Sequence, residues 1–165
     1  NIPFSPPDIT EEEIEAVAEV MRSGWITTGP KTKELERKMA EFTHTNRGVC
    51  LNSATSCMEM ALRLFEIGPG DEVIVPAYTY TASASVVCHV GATLRLVDVE
   101  KGTFHIDYAA VESMINENTK AIIPVDLGGV MVDYDRIRAI VESKKSLFRP
   151  SSKMQEALGL SLIHI

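Results

Sequence analysis

Apolar residues in this chain alternate between two spacings, and that alternation restricts the possible folds more than any other feature. Gly48-Val49-Cys50-Leu51, Val73-Ile74-Val75, Thr93 to Asp98 and Ala121-Ile122-Ile123-Pro124-Val125 are short apolar runs of strand length. Between them, apolar residues recur at i, i+3, i+4 and i+7, the spacing of one helix face: Met58, Ala61, Leu62 and Phe65, then Ile137, Ile140 and Val141. An Ala/Ser/Val-rich helix is expected over 82–90, and Asp107 caps one bearing Val111, Met114 and Ile115. Ahead of these, Thr10-Glu11-Glu12-Glu13 is a capping box for a helix carrying Ile14, Val17, Ala18 and Met21, which Gly24 closes. After a loop from Trp25 to Pro30, a second helix carries Leu35, Met39 and Phe42 on one face. Strands separated by helices need crossover connections, so the expectation is an α/β fold with a mostly parallel sheet flanked by helices.

Composition narrows the function classes. With 165 residues, 45% of them hydrophobic, the chain can bury one sizeable core. A net charge of −7 argues against a broad nucleic-acid-binding face, which must be basic. No apolar run is long enough to span a bilayer and no secretory signal pattern is present, so a cytoplasmic protein without membrane partners is expected. Cys50, Cys57 and Cys88 lack metal spacing, as do His44, His89, His105 and His164, and no metal site is expected. The cysteines read as reduced, with Cys50 and Cys88 buried in apolar surroundings.

Two junctions carry the chemistry. Asn52-Ser53-Ala54-Thr55-Ser56-Cys57 joins a strand-like run to a helix, and small hydroxyl residues at a helix start leave backbone N–H groups open to an anion such as phosphate. An ordinary N-cap by Asn52 or Ser53 explains the same residues without a ligand. The second junction is Pro76-Ala77-Tyr78-Thr79-Tyr80-Thr81, where Pro76 ends a strand and the chain leaves its carboxyl end with two aromatics. Ligands of open α/β sheets bind outside those carboxyl ends. A flat aromatic beside a phosphate cradle suits pyridoxal 5'-phosphate.

A series of blocks in fixed order then identifies a relationship. Ser23-Gly24-Trp25-Ile26-Thr27-Thr28-Gly29-Pro30, Asn52 to Ser56, Gly68-Pro69-Gly70-Asp71-Glu72-Val73-Ile74-Val75-Pro76, Gly91-Ala92-Thr93 leading to Val97-Asp98-Val99, and Thr119 to Val125 cover most of the chain. Together they resemble the DegT/StrS-type nucleotide-sugar aminotransferases, which have the fold-type I architecture of PLP-dependent enzymes. The resemblance implies a PLP enzyme moving an amino group from an amino acid, usually glutamate, to a keto-sugar nucleotide, as a cytoplasmic homodimer. It implies that Ala54 and Thr55 bind the cofactor phosphate, that Tyr80 lies against the pyridine ring, and that Thr28 and Gly29 face the substrate while Trp25 anchors their loop. Asp126 stands where relatives often have His, and it could instead pair with the Gly128-Gly129 turn.

On that reading the chain comprises an N-terminal helix and substrate loop (1–30), part of the PLP-binding domain (31–159) and a non-native tail (160–165). The chain would be a fragment that stops before the lysine forming the Schiff base, so no catalytic residue is assigned and the fragment alone is expected to be inactive. Its own lysines, Lys31, Lys33, Lys38, Lys101, Lys120, Lys144, Lys145 and Lys153, read as solvated. The expected sheet ends on an exposed apolar edge, with 144–165 loosely packed and with Tyr80 close in space to Ala54-Thr55, on the same side of the sheet. Alternatives are a PLP-dependent sugar dehydratase of the same fold and a non-catalytic binding fragment. A nicotinamide dehydrogenase and a P-loop nucleotidase are disfavoured, because neither G-x-G-x-x-G nor G-x-x-x-x-G-K-[ST] is present.

Overall fold

The computed structural model describes residues 5–157, 163 and 164, and the chain divides into two compact units, 1–51 and 52–165. The expected boundary at residue 30 marked the end of a substrate loop; the compact units divide further along, after Leu51.

The first unit is a helix pair. Helix α1 (Glu11–Ser23) opens with the predicted capping box: the Thr10 side chain accepts from Glu12 N at 3.3 Å, and Thr10 N donates to the Glu13 carboxylate at 2.6 Å. Gly24, at φ 72°, ends it in the left-handed region that a side chain would disfavour. Helix α2 (Pro30–Phe42) starts with Pro30 in the first turn, where a missing N–H costs nothing. A Lys31–Glu19 ion pair at 3.2 Å links the two helices.

The run 48–51, expected as a buried strand, is not one. Among the described residues no strand pairs with it, and Val49 is 74% exposed. Its backbone is held by α2 instead: Cys50 N donates to the Glu36 carboxylate at 3.1 Å. A Cβ on Gly48 would lie 2.6 Å from the Glu36 carbonyl oxygen, a fixed backbone atom. Gly48→Ala should therefore destabilise the first unit by about 1–3 kcal/mol through overpacking, read as a lower urea midpoint with the single tryptophan, Trp25, as the fluorescent probe.

The second unit is a parallel sheet between helices. In chain order it comprises α3 (Ala54–Leu64), β1 (Glu72–Pro76), α4 (Thr81–His89), β2 (Thr93–Val97), α5 (Tyr108–Met114), β3 (Thr119–Ile122), α6 (Tyr134–Lys144), α7 (Lys153–Ala157) and β4 (Ile163–His164). The strand order is β2-β1-β3-β4, with every pairing parallel. The central strand shows why the sheet needs cover on both sides. Val73 and Val75 pack with Leu62 of α3 and Val86 and Val87 of α4, whereas Ile74 points the other way into Val111 of α5 and Ile137 of α6. Full burial of each such side chain contributes about 1.5–3 kcal/mol. Because α4 and α5 cover opposite faces, the chain leaves β1 toward β2 and returns past it to β3. The crevice at the carboxyl ends of β1 and β3 is thus a topological switch point.

Two expectations are corrected. The outer edge of β3 is paired, in parallel, by Ile163–His164, so β2 and β4 are the edge strands of the sheet. The segment after α6 is also tied down: Gln155, buried, donates to the Phe65 carbonyl at 3.0 Å, and Ser151 Oγ donates to Asp71 at 3.0 Å. Residues 158–162 and 165, part of the tail expected to be non-native, lie outside the described residues. Finally, Lys120 is not a solvated lysine. It is 2% exposed, donates to the Glu117 carbonyl at 2.6 Å, lies 4.0 Å from Asp71 and covers the Phe148 ring. Burial holds its ammonium below the usual lysine range, against the pull of Asp71, Glu117 and Glu72. This polar cluster sits at the amino end of the strands.

Candidate functional site

The carboxyl ends of the strands carry the predicted cofactor residues. Ser53 caps α3 with extended backbone, its hydroxyl accepting from Ser56 N at 3.1 Å, and Cys57 N closes the first helical bond on the Ser53 carbonyl. The cap therefore uses the third amide of the helix. The first two amides, of Ala54 and Thr55, are left directed outward at the positive end of the helix dipole. The Ser53 cap thus does not occupy the N–H groups that anion binding would use, and the two readings do not exclude each other.

Helices α3 and α4 lie side by side on one sheet face and run the same way. Their later turns meet, with His89 Nδ1 2.9 Å from Glu59 and Arg63 reaching the His89 carbonyl at 3.4 Å. Their starts consequently share the end at which β1 finishes, which places Thr55 and Tyr80 on the same face of the sheet, as expected. Tyr80 is the N-cap residue of α4, and its ring is 80% exposed. Thr55 is half-buried and Ala54 exposed.

Asp126 follows β3 at the same end but is fully engaged in closing its own loop. One carboxylate oxygen accepts from Val132 N at 2.9 Å and the other from the Tyr134 hydroxyl at 2.9 Å. Burial, with the Asp126 hydrogen bond and charge, raises the Tyr134 pKa. The Gly128-Gly129 turn bonds to the Asp126 backbone carbonyl, not to its side chain.

Thr28 and Gly29 belong to the other unit. There they line a cavity of about 760 Å3 with Glu19, Ser23, Trp25 and Lys31 among its walls. The Trp25 indole N–H donates to the Thr28 carbonyl at 3.1 Å, and a Cβ on Gly29 would lie 2.3 Å from that nitrogen. Position 29 is glycine because the indole lies on it.

The cysteine reading needs correction: Cys88 is exposed and Cys50 only half-buried. A helix end and an extended segment present these side chains outward despite their apolar sequence neighbours. Lys120 was missed as a buried charge. Its signal was a charged residue directly before the apolar run Ala121 to Val125, and its place at the amino ends keeps it away from the candidate site.

A model of the DegT/DnrJ/EryC1/StrS aminotransferase family matches residues 7–148. The chain belongs to that family. Among solved structures it is similar to Spr1654 of Streptococcus pneumoniae, described as a putative sugar aminotransferase, with 59% identity and a TM-score of 0.93. That match covers 99% of this chain and 41% of Spr1654, whose structures include PMP and PLP forms. DesV of S. venezuelae, solved with a ketimine intermediate, is 37% identical over 81% of this chain and 36% of its own, with a TM-score of 0.76. The Escherichia coli GDP-4-keto-6-deoxy-D-mannose-3-dehydratase, 24% identical, covers 87% of this chain and 39% of its own length at a TM-score of 0.80, and shares the fold. The family member described here thus spans about 41% of the length of Spr1654.

Proposed function

We propose that this DegT/StrS-family chain forms the cofactor-binding part of a PLP-dependent aminotransferase that moves an amino group from an amino acid, glutamate foremost, to a keto-sugar nucleotide. The observation that carries the reading is the pairing of two helix starts on one sheet face: open amides at Ala54 and Thr55, and an exposed ring at Tyr80. The donor set fits the group, because paired N–H groups at a helix start suit a phosphate and an exposed ring suits a pyridine.

Bound PLP would supply the electron sink that lets nitrogen pass between two carbon skeletons. Ala54 and Thr55 fix the phosphate, Tyr80 orients the ring, and Thr28 and Gly29 meet the sugar substrate. The protein works as a cytoplasmic homodimer on this reading. A dehydratase of the same fold is the competitor; likeness to Spr1654 and DesV, well above that to the dehydratase, supports transamination.

Expression of the complete reading frame should give a protein with the visible absorption band of bound PLP, and that band should disappear on addition of glutamate. Absence of the band, with no lysine at the family position, would overturn the assignment. A band indifferent to every amino acid, with dehydration of a keto-sugar nucleotide, would establish the competing activity.

A further inference from the structure

We propose that Phe104 is a positioning residue for the cofactor loop, acting through Tyr78 on the placement of Tyr80. The inference rests on the assignment of Tyr80 to the PLP ring, and it concerns a residue outside every family block identified in the sequence.

The loop from Ala77 to Tyr80 must hold an exposed ring in place, and Tyr80 makes no side-chain cap bond that would do so. Four contacts hold the loop instead, one of them Ser83 N donating to the Tyr80 carbonyl at 3.1 Å. Ala77 N donates to the Val97 carbonyl at 2.7 Å, which fixes its first residue to β2. Thr79 Oγ1 and Ser83 Oγ lie 3.0 Å apart, which ties the loop to the first turn of α4. Between these, the Tyr78 ring stacks on Phe104 with centroids 5.0 Å apart and planes 19° from parallel. Without the stack, Thr79 and Tyr80 would be held only through Ser83, by the hydroxyl pair and by the Ser83 amide.

Phe104 can serve as a support because its own segment is fixed. The chain from Asp98 to Asp107 doubles back through an antiparallel bridge between Val99 and Ile106, and Glu100 N donates to the His105 carbonyl at 2.9 Å. Ile106 is 1% exposed and locks the hairpin into the core. Glu100 pairs with Arg136 at 3.2 Å, and that guanidinium covers the Tyr108 ring, so the hairpin is also joined to α6. Rigidity therefore passes from the α5/α6 side of the sheet, through Phe104 and Tyr78, to a loop whose helix lies on the other side. Tyr78 and Phe104 are each more than half exposed, and their stack stands apart from both core clusters of this chain. Stacked aromatic pairs add to the burial of their area, and restraining a recognition group in its bound geometry raises affinity by reducing the ordering cost.

The test uses protein from the complete reading frame, with Phe104→Ala, Phe104→Tyr and Tyr78→Ala. Hydrogen exchange in the cofactor-free protein should be roughly 2–10-fold faster at amides 77–83 in Phe104→Ala, and the Kd for PLP should rise by a similar factor. Phe104→Tyr should restore both, Tyr78→Ala should reproduce the loss, and the double alanine variant should add nothing to it. Unchanged exchange at 77–83 in Phe104→Ala would overturn the proposal, as would faster exchange with an unaltered Kd for PLP. If wild-type protein bound no PLP, the assignment of Tyr80 would fall and take the cofactor role of Phe104 with it, while exchange would separately report the support of the loop.

Discussion

Asp71→Ala should lower the free energy of unfolding by about 3–5 kcal/mol, because it leaves the Lys120 ammonium buried without its carboxylate. Both side chains are 3% exposed, so water cannot compensate. The same substitution removes the acceptor 3.0 Å from the Gly68 amide and 3.0 Å from the Ser151 hydroxyl, the latter keeping Gln155 Oε1 at 3.1 Å. Urea unfolding followed by far-ultraviolet circular dichroism would measure the loss. Asp71→Asn combined with Lys120→Met removes both charges while keeping a polar group for those two donors, and should recover at least half of it. Failure to recover would show that neither the unpaired charge nor the loss of these two hydrogen bonds is the main source of the cost.

The deficit should also depend on pH with a definite sign. The Lys120 pKa is depressed in the folded state, so between that value and the unfolded value of about 10.4 the unfolded chain binds more protons and stability rises with pH. Removing Asp71 withdraws an interaction that holds the folded pKa up, which widens this window. The difference between Asp71→Ala and wild type should therefore be greatest at neutral pH and shrink as pH rises toward about 10. A difference that stays constant with pH would show that the buried charge is not its source.

Tyr80→Ala in the complete protein should weaken PLP binding by about 10–100-fold, the loss of a stacked ring together with its buried area. Tyr80→Phe should bind within about threefold of wild type, because the proposed contact uses the face of the ring and not the hydroxyl. Cofactor titration followed by the bound-state absorption gives both constants. Equal binding by Tyr80→Ala would place the pyridine ring elsewhere and leave the phosphate contacts at Ala54 and Thr55 to stand alone.

How legible the molecule is in its sequence depends on the range of the forces involved. The capping box at Thr10, the caps at Ser53 and Asp107, the closing Gly24 and the helical spacing of Ile137, Ile140 and Val141 all appear in the structure as read. Each is settled within one or two turns of chain. The carboxyl-end placement of the candidate site follows in the same way, because a parallel strand must deliver its loop at that end. Strands are less certain. Val73 to Val75 and 48–51 are both short apolar runs, yet only the first finds partners, at β2 and β3. In 48–51 the Cys50 amide goes to the Glu36 carboxylate on a helix, which no apolar pattern reports.

The sequence by itself therefore determined the α/β class, the helices and their caps, the family and the residues at the strand carboxyl ends. Tertiary structure alone decided which apolar run became a strand, which lysine was buried and what supports the Tyr80 loop. Helix periodicity and caps are local, so the sequence near a residue contains the whole interaction. A ladder, a buried charge or an aromatic stack instead needs a partner that folding brings close: Asp71 meets Ser151 across 80 residues of chain, and Gln155 meets Phe65 across 90. Such partners are selected by the packing of the sheet and its helices, which the pattern around either residue does not contain.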